Sequence, residues 1–238
     1  MLIRIGVESN FDGHSIAWAL DFPGCAAHGA DNSEAILRLP QRLVFYSNRI
    51  AARVEDPWWQ VGDFDLRVVE TFEGYNINED YGTVAAGTPE SYEVNAFFRD
   101  DWRPLQAEEV HHGLDMLRWN REDLLKLTSG LDEATLDRPV PGEHWPVRGI
   151  LRHVGTSEWW YLDRLGLAQA RRDELPTGVF ERLSFSRGLL ERALPDLAGR
   201  DDLVRGRNGE FWSPRKLLRF AIWHEMDHIE HIIRLITA

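Results

Sequence analysis

The chain has 238 residues, 43% of them hydrophobic, enough for one large domain or two small ones with separate cores and too apolar for a disordered chain. Its formal charge of -12 is unsuited to wrapping a nucleic-acid backbone, which needs clustered Lys and Arg. A single cysteine, Cys25, excludes an internal disulfide and a Cys-based zinc knuckle, and reads as a small buried thiol.

The first hundred residues read mainly as strands. Leu2 to Glu8 alternates, with Leu2, Arg4, Gly6 and Glu8 on one side and Ile3, Ile5 and Val7 on the other, as expected of a strand with one buried face. The segment meets charge too early for a signal peptide. No apolar run in the chain approaches membrane-spanning length, so a soluble, cytoplasmic protein is expected. Asp12-Gly13 marks a turn, Ile16 to Leu20 a second strand, and Cys25 to His28 a short third one after the break at Phe22-Pro23-Gly24. Asp31 to Glu34 opens a helix whose apolar stripe, Ala35, Leu39, Leu43 and Tyr46, runs to about Val54, with Pro40 as a kink. Phe64 to Phe72 and Tyr92 to Phe98 return to strand character, and Gly74 to Pro89 between them reads as a polar loop.

Trp102-Arg103-Pro104 marks a boundary, after which the period becomes helical. Four amphipathic helices are predicted at about 105–129, 146–168, 176–194 and 213–236, and Asp137 to Gly142 between the first two cannot be helical. Four such helices, each unable to bury its stripe alone, suggest a bundle. The fold class is therefore α+β, with residues 1–100 a small β-rich domain and 101–238 a four-helix bundle. Two helix starts echo each other, Trp145-Pro146-Val147-Arg148 and Trp212-Ser213-Pro214-Arg215, each placing Pro near the first turn where a missing N–H costs nothing.

Both of these helices carry histidine. His224 and His228 stand at i, i+4, so two imidazoles share one helix face with Phe220, Ile232 and Leu235. A buried imidazole needs partners for both nitrogens, and a metal ion supplies one of them. Such a pair can also be merely solvated or packed in a core, so a third ligand is needed. His153, flanked by apolar residues and followed by the small Gly155 and Thr156, is the upstream candidate. Three neutral imidazoles would leave positions open for water or substrate, as in a reactive site, and nitrogen ligands suit zinc, nickel, iron or manganese. The stretch His224 to His228 also fits the zincin pattern His-Glu-x-x-His, but no Gly-x-x-His extension follows, which makes a metallopeptidase the weaker reading. His231 reads as lining the approach to the site. His111, His112 and His144 read as surface or capping residues. Glu225 reads as a salt-bridge or solvent-facing residue, a general base being the alternative, and Asp227 as a solvated charge. Trp145, Trp159, Trp160 and Trp223 either wall a pocket or pack the core.

At these residues the second half resembles the DinB-like (YfiT-like) metal-binding bundle family, over roughly 105–238. Trp145 to Val154 is similar to that family's Trp-Ser-x-Arg-x-x-x-x-His segment, with Pro146 where a capping Ser or Thr is usual. His224 to Ile232 is similar to its His-Glu-x-x-His-x-x-Gln-Ile helix, with His231 in place of the common Gln. The resemblance implies His153, His224 and His228 as ligands of one divalent metal, an up-down-down-up helix order and a homodimer. It also implies a small-molecule substrate, with a transferase or isomerase using a low-molecular-weight thiol, or a hydrolase, as the activity. The first half resembles the HicB-like antitoxin domain over about 1–55. Its Pro23-Gly24-Cys25, Gly29-Ala30-Asp31 and Glu34-Ala35 are similar to that family's Pro-Gly-Cys, Gly-Asp-Thr and Glu-Ala pattern. No DNA-binding module follows it, which points to a recruited β-rich module more than to an antitoxin. A metal-dependent enzyme is thus the leading expectation. A non-catalytic metal-binding sensor or protein-interaction module is the alternative, with a toxin–antitoxin component as a third.

Overall fold

The structure, a computed structural model, describes residues 1–85, 88, 91–207 and 209–237. It divides into two compact units, Met1–Trp102 with Gly206–Phe211, and Arg103–Arg205 with Trp212–Ala238. The fold is α+β, with a sheet-rich N-terminal unit and a helical C-terminal one. Among the described residues, no helix is long and apolar enough to cross a membrane.

The N-terminal unit is built on strands β1 (Leu2–Phe11), β2 (His14–Ala19), β3 (Ala26–Gly29) and β4 (Asp65–Glu73), with helix α1 (Asn32–Ala51) between the last two. The sheet order is β3-β2-β1-β4, antiparallel except where β1 runs parallel to β4. Helix α1 starts at Asp31, whose carboxylate accepts the Glu34 N–H at 2.9 Å, and buries Ala35, Leu39, Leu43, Tyr46 and Ile50. Pro40 sits inside this helix without ending it. Ile3, Ile5 and Val7 form the expected buried face of β1. The opposite face departs from expectation, because Gly6 and Glu8 are buried as well. The segment leading to Phe98 covers them. A Cβ on Gly6 would stand 2.7 Å from the Phe98 ring, and the fully buried Glu8 carboxylate accepts from Trp18 Nε1 at 3.0 Å and from the Ala96 N–H at 2.6 Å. Burying a carboxylate is costly unless such donors meet it. Cys25 is buried, and burial pushes its thiol up to about 12, the state of an inert thiol.

Within the segment 74–89, read as a loop, the chain forms β5 (Tyr75–Ile77) and β6 (Thr83–Val84), which join β7 (Tyr92–Val94) in a small antiparallel sheet of order β6-β5-β7. Such short strands carry too few residues for alternation to show. Part of that loop reading, residues 86, 87 and 89, lies outside the described residues. A short hairpin, β8 (Arg205–Arg207) and β9 (Glu210–Trp212), completes the strands.

The C-terminal unit holds the long helices α2 (Ala107–Thr128), α4 (Val147–Arg164), α5 (Val179–Ala193) and α6 (Pro214–Thr237), with the single turn α3 (Glu133–Leu136) after α2. Pro214 is the first residue of α6, and Ser213 Oγ accepts the Lys216 N–H at 3.1 Å, so the predicted start is a capped one. Pro146 occupies the N-cap of α4 and offers no side-chain cap. Helix α4 packs on α5 and α6, and α2 packs on α6. At the α4–α5 contact a Cβ on Gly155 would lie 3.2 Å from the Leu183 backbone nitrogen, so the small residue lets α5 come close. The apolar core gathers Leu124, Ile150, Leu151, Val154, Leu183, Ile229 and Ile232 from all four long helices.

Through the bundle runs a buried quartet of charges, with one member from each long helix: Arg121 of α2, Glu158 of α4, Arg187 of α5 and Glu225 of α6. Arg121 Nε donates to Glu225 at 2.7 Å, and its Nη2 donates to both Glu158 oxygens at 3.1 Å. Arg187 Nε donates to Glu158 at 2.9 Å and its Nη2 to Glu225. Further donors of the two guanidinium groups reach the Leu183 and Leu117 carbonyls. Two cations face two anions, so the quartet is neutral. Burial works against the Arg187 charge, yet the carboxylates outweigh it and hold that guanidinium above its ordinary value. Removing one partner strands the others without water. Arg187→Ala is therefore expected to lower unfolding free energy by about 3–5 kcal/mol in urea denaturation; a loss below about 1 kcal/mol, the scale of an exposed pair, would contradict this account.

Candidate metal centre

The three histidines singled out in the sequence meet in space. His153 comes from the second turn of α4, and His224 and His228 from successive turns of α6. His153 Nε2 lies 2.9 Å from His224 Nε2, and His228 Nε2 lies 3.1 Å from His224 Nε2. One ligand atom from each residue fits within 4.8 Å of the others. The ring centroids are 4.4 to 5.0 Å apart. The cluster is half-buried.

Electrostatics suit these rings to a cation. Burial lowers the His153 pKa. Burial first, then the neighbouring imidazoles, holds His224 well below its ordinary value. Burial and His153 together pull His228 down to about 4. All three are thus neutral at neutral pH, each with a lone pair to offer. Three Nε2 atoms facing one another cannot satisfy themselves, since each pair can share only one hydrogen. A divalent ion resolves the conflict. Two nitrogens at about 2.1 Å from a tetrahedral ion stand about 3.4 Å apart, within about half an ångström of the closer contacts seen here. The residues present therefore fit a nitrogen-ligated metal. The usual outer acceptor of a ligating imidazole is missing at one place: His228 Nδ1 is buried with no partner among the described residues.

The neighbouring residues divide between the centre and the core. Trp145 lies 4.9 Å from His153 between centroids and is partly exposed, and Trp223 lies 6.3 Å from His224. Trp145 thus borders the centre, while the buried Trp223 also packs on Phe220. Trp159 donates to the Ala170 carbonyl, and Trp160 packs on Trp212, both away from the imidazoles. Tyr161, which the sequence reading missed, stands edge-on to His224 at 6.0 Å. His231 turns to Glu143, with Nε2 2.8 Å from the carboxylate, beside the ring of His228. His144 packs on Trp145 with the rings tilted, and His111 sits exposed near Asp115 on α2. Glu225 is 1% exposed and committed to Arg121 and Arg187, so it cannot serve as the general base of a zincin. The zincin reading fails because Arg121 and Arg187 hold Glu225 in the core while His224 faces His153 and His228.

Because the folded chain holds these imidazoles below their unfolded value, the unfolded chain takes up protons first as pH falls. The chelator-treated protein is therefore expected to lose stability between about pH 6.5 and about 4, and His224→Ala to flatten that loss. An identical pH profile of melting temperature in the variant would count against the buried, neutral cluster.

No curated protein matches the chain. A solved structure described as TT2238, a four-helix bundle protein, aligns with 23% identity over 52% of this chain and 98% of its own, with a TM-score of 0.41. Residues 116–232, the stretch that carries all three converging imidazoles, match the family model of the DinB superfamily.

Proposed function

We propose that the helical unit is a metal-dependent enzyme of the DinB-like class, in which His153, His224 and His228 hold one divalent ion through their Nε2 atoms. The observation that carries this reading is the convergence of three neutral imidazole nitrogens in a half-buried cluster. A divalent ion there supplies Lewis acidity, lowering the pKa of a thiol or water that joins it so that a nucleophile exists at neutral pH. The protein's own groups do the rest. Burial keeps the imidazoles deprotonated, and the rings of Trp145 and Tyr161 lie against His153 and His224. The reaction is a thiol-dependent transfer or isomerisation of a small molecule, or a hydrolysis. Nitrogen ligation is compatible with zinc, nickel, iron or manganese. Cytoplasmic residence and a homodimer belong to the same reading, through the family resemblance. For the N-terminal unit we keep the HicB-like resemblance, as a recruited β-rich module; the order β1-β2-β3-α1 supports it.

The purified chain is expected to contain about one divalent ion by elemental analysis, and His224→Ala to lose it. Equal occupancy in the variant would count against the ligand assignment. In paired screens of thiol conjugation and ester or amide hydrolysis, turnover is expected to fall more than about tenfold with chelator and to return with added metal. Bound metal without metal-dependent turnover in either screen would instead favour a non-catalytic sensor or interaction module.

A further inference from the structure

On the outer side of α4, beside His153, three arginines stand without acidic partners. Arg152 and Arg172 are exposed, and their side chains have no hydrogen bond or ion pair among the described residues. Arg182, in the first turn of α5, has partners that carry no charge: Nε donates to the Pro176 carbonyl at 2.7 Å and Nη1 to Thr156 Oγ1 at 3.0 Å. In a chain of net charge -12 this is unusual company. The nearby acids are turned elsewhere. Asp173 and Glu174 pair with Arg171, and Glu181 curls back over Gly178. Burial first, then the like charges of Arg152 and Arg172, hold Arg182 below its ordinary pKa, so Arg182 lies near enough to feel both.

The placement is defined by helix geometry. Thr156 is four residues from Arg152 and three from His153, so its side chain neighbours both, at about 5–6 Å between Cβ atoms. Its hydroxyl hydrogen-bonds the Arg152 carbonyl at 2.7 Å and takes the Arg182 donor from the other side. The absence of a side chain on Gly155 lets the Arg182 stem lie across α4; a Cβ there would stand 3.0 Å from its Cγ. Arg182 is thus fixed by its stem and two hydrogen bonds, with charge to spare.

We infer that Arg152, Arg172 and Arg182 form a receptor for an oxyanion group, a carboxylate or a phosphate, at the lip of the three-histidine centre. Guanidinium groups match such oxygens in geometry and charge, and a bound anion offsets the like charges that Arg152 and Arg172 present to Arg182. The substrate would then be an anionic small molecule, its charged end on the arginines and its reacting end toward the imidazoles. That role in turnover rests on the metal-dependent reading; the anion site itself does not.

The test uses the full chain, stripped with chelator and titrated calorimetrically at low ionic strength with inorganic phosphate and, separately, with succinate. At least one anion is expected to bind, and Arg152→Gln to weaken it about tenfold or more, on the scale of a lost charge-assisted bond. Arg182→Gln is expected to do the same. Arg234→Gln, an exposed arginine in the last turn of α6, controls for loss of general charge and is expected to leave binding unchanged. Arg152 makes no contact that folding needs, so its variant stays informative if Arg182→Gln misfolds. The tighter of the two probes names the group recognised. Failure of both anions to bind, or equal weakening by Arg152→Gln and Arg234→Gln, would overturn the proposal. Anion binding by a chain that holds no metal when purified would sink the metal reading alone.

Discussion

A neutral set of four buried charges ties the helical unit together. Arg121, Glu158, Arg187 and Glu225 each come from a different helix, and each carboxylate touches both guanidinium groups. Apolar contacts are non-directional and tolerate small rotations of a helix about its axis. Paired charges in a dry interior do not, because a guanidinium turned out of line leaves a carboxylate desolvated and alone. The quartet therefore acts as a register device, at a desolvation cost that an all-apolar core would avoid. It also sets the rotation of α4 and α6, the two helices that carry imidazoles.

That rotation is what the histidine cluster depends on. On α6, Glu225 points into the quartet, and its chain neighbour His224 points to the opposite business of meeting His153 and His228. On α4, Glu158 and His153 divide the same tasks. The electrostatics of the two clusters are opposite in kind. In the quartet, the opposite charges of Glu158 and Glu225 outweigh burial and hold the Arg187 guanidinium above its ordinary value. Among the imidazoles, burial and like neighbours reinforce each other and the groups stay neutral. Only the second state suits a cation, which needs lone pairs free of protons.

The N-terminal unit uses the same device on a smaller scale. Glu8 is sealed under Trp18 and the Ala96 backbone, and Arg4 bridges Asp21 and Asp100. Strand β1 is thereby covered on both faces, by its apolar residues on one and by satisfied polar groups on the other. A central strand with a parallel neighbour needs such cover.

Much of this protein was legible in its residues taken in order. The four long helices follow from the 3.6 period and from Pro and Gly punctuation, and the pair His224 and His228 follows from a spacing of four on one helix. Local rules suffice there, since helix geometry makes neighbours of residues a turn apart. His153 could be nominated from its apolar flanks and its family resemblance, but its arrival within 2.9 Å of His224 is a tertiary fact. The quartet was invisible, because a charged residue inside a helical stripe looks the same whether it faces solvent or three partners from other helices. A salt bridge was one of the two readings of Glu225, but its partners were hidden in the same way, as were Tyr161 beside His224 and Glu143 on His231. Their roles are decided by which helix faces meet across tens of residues of chain, and no local period records that.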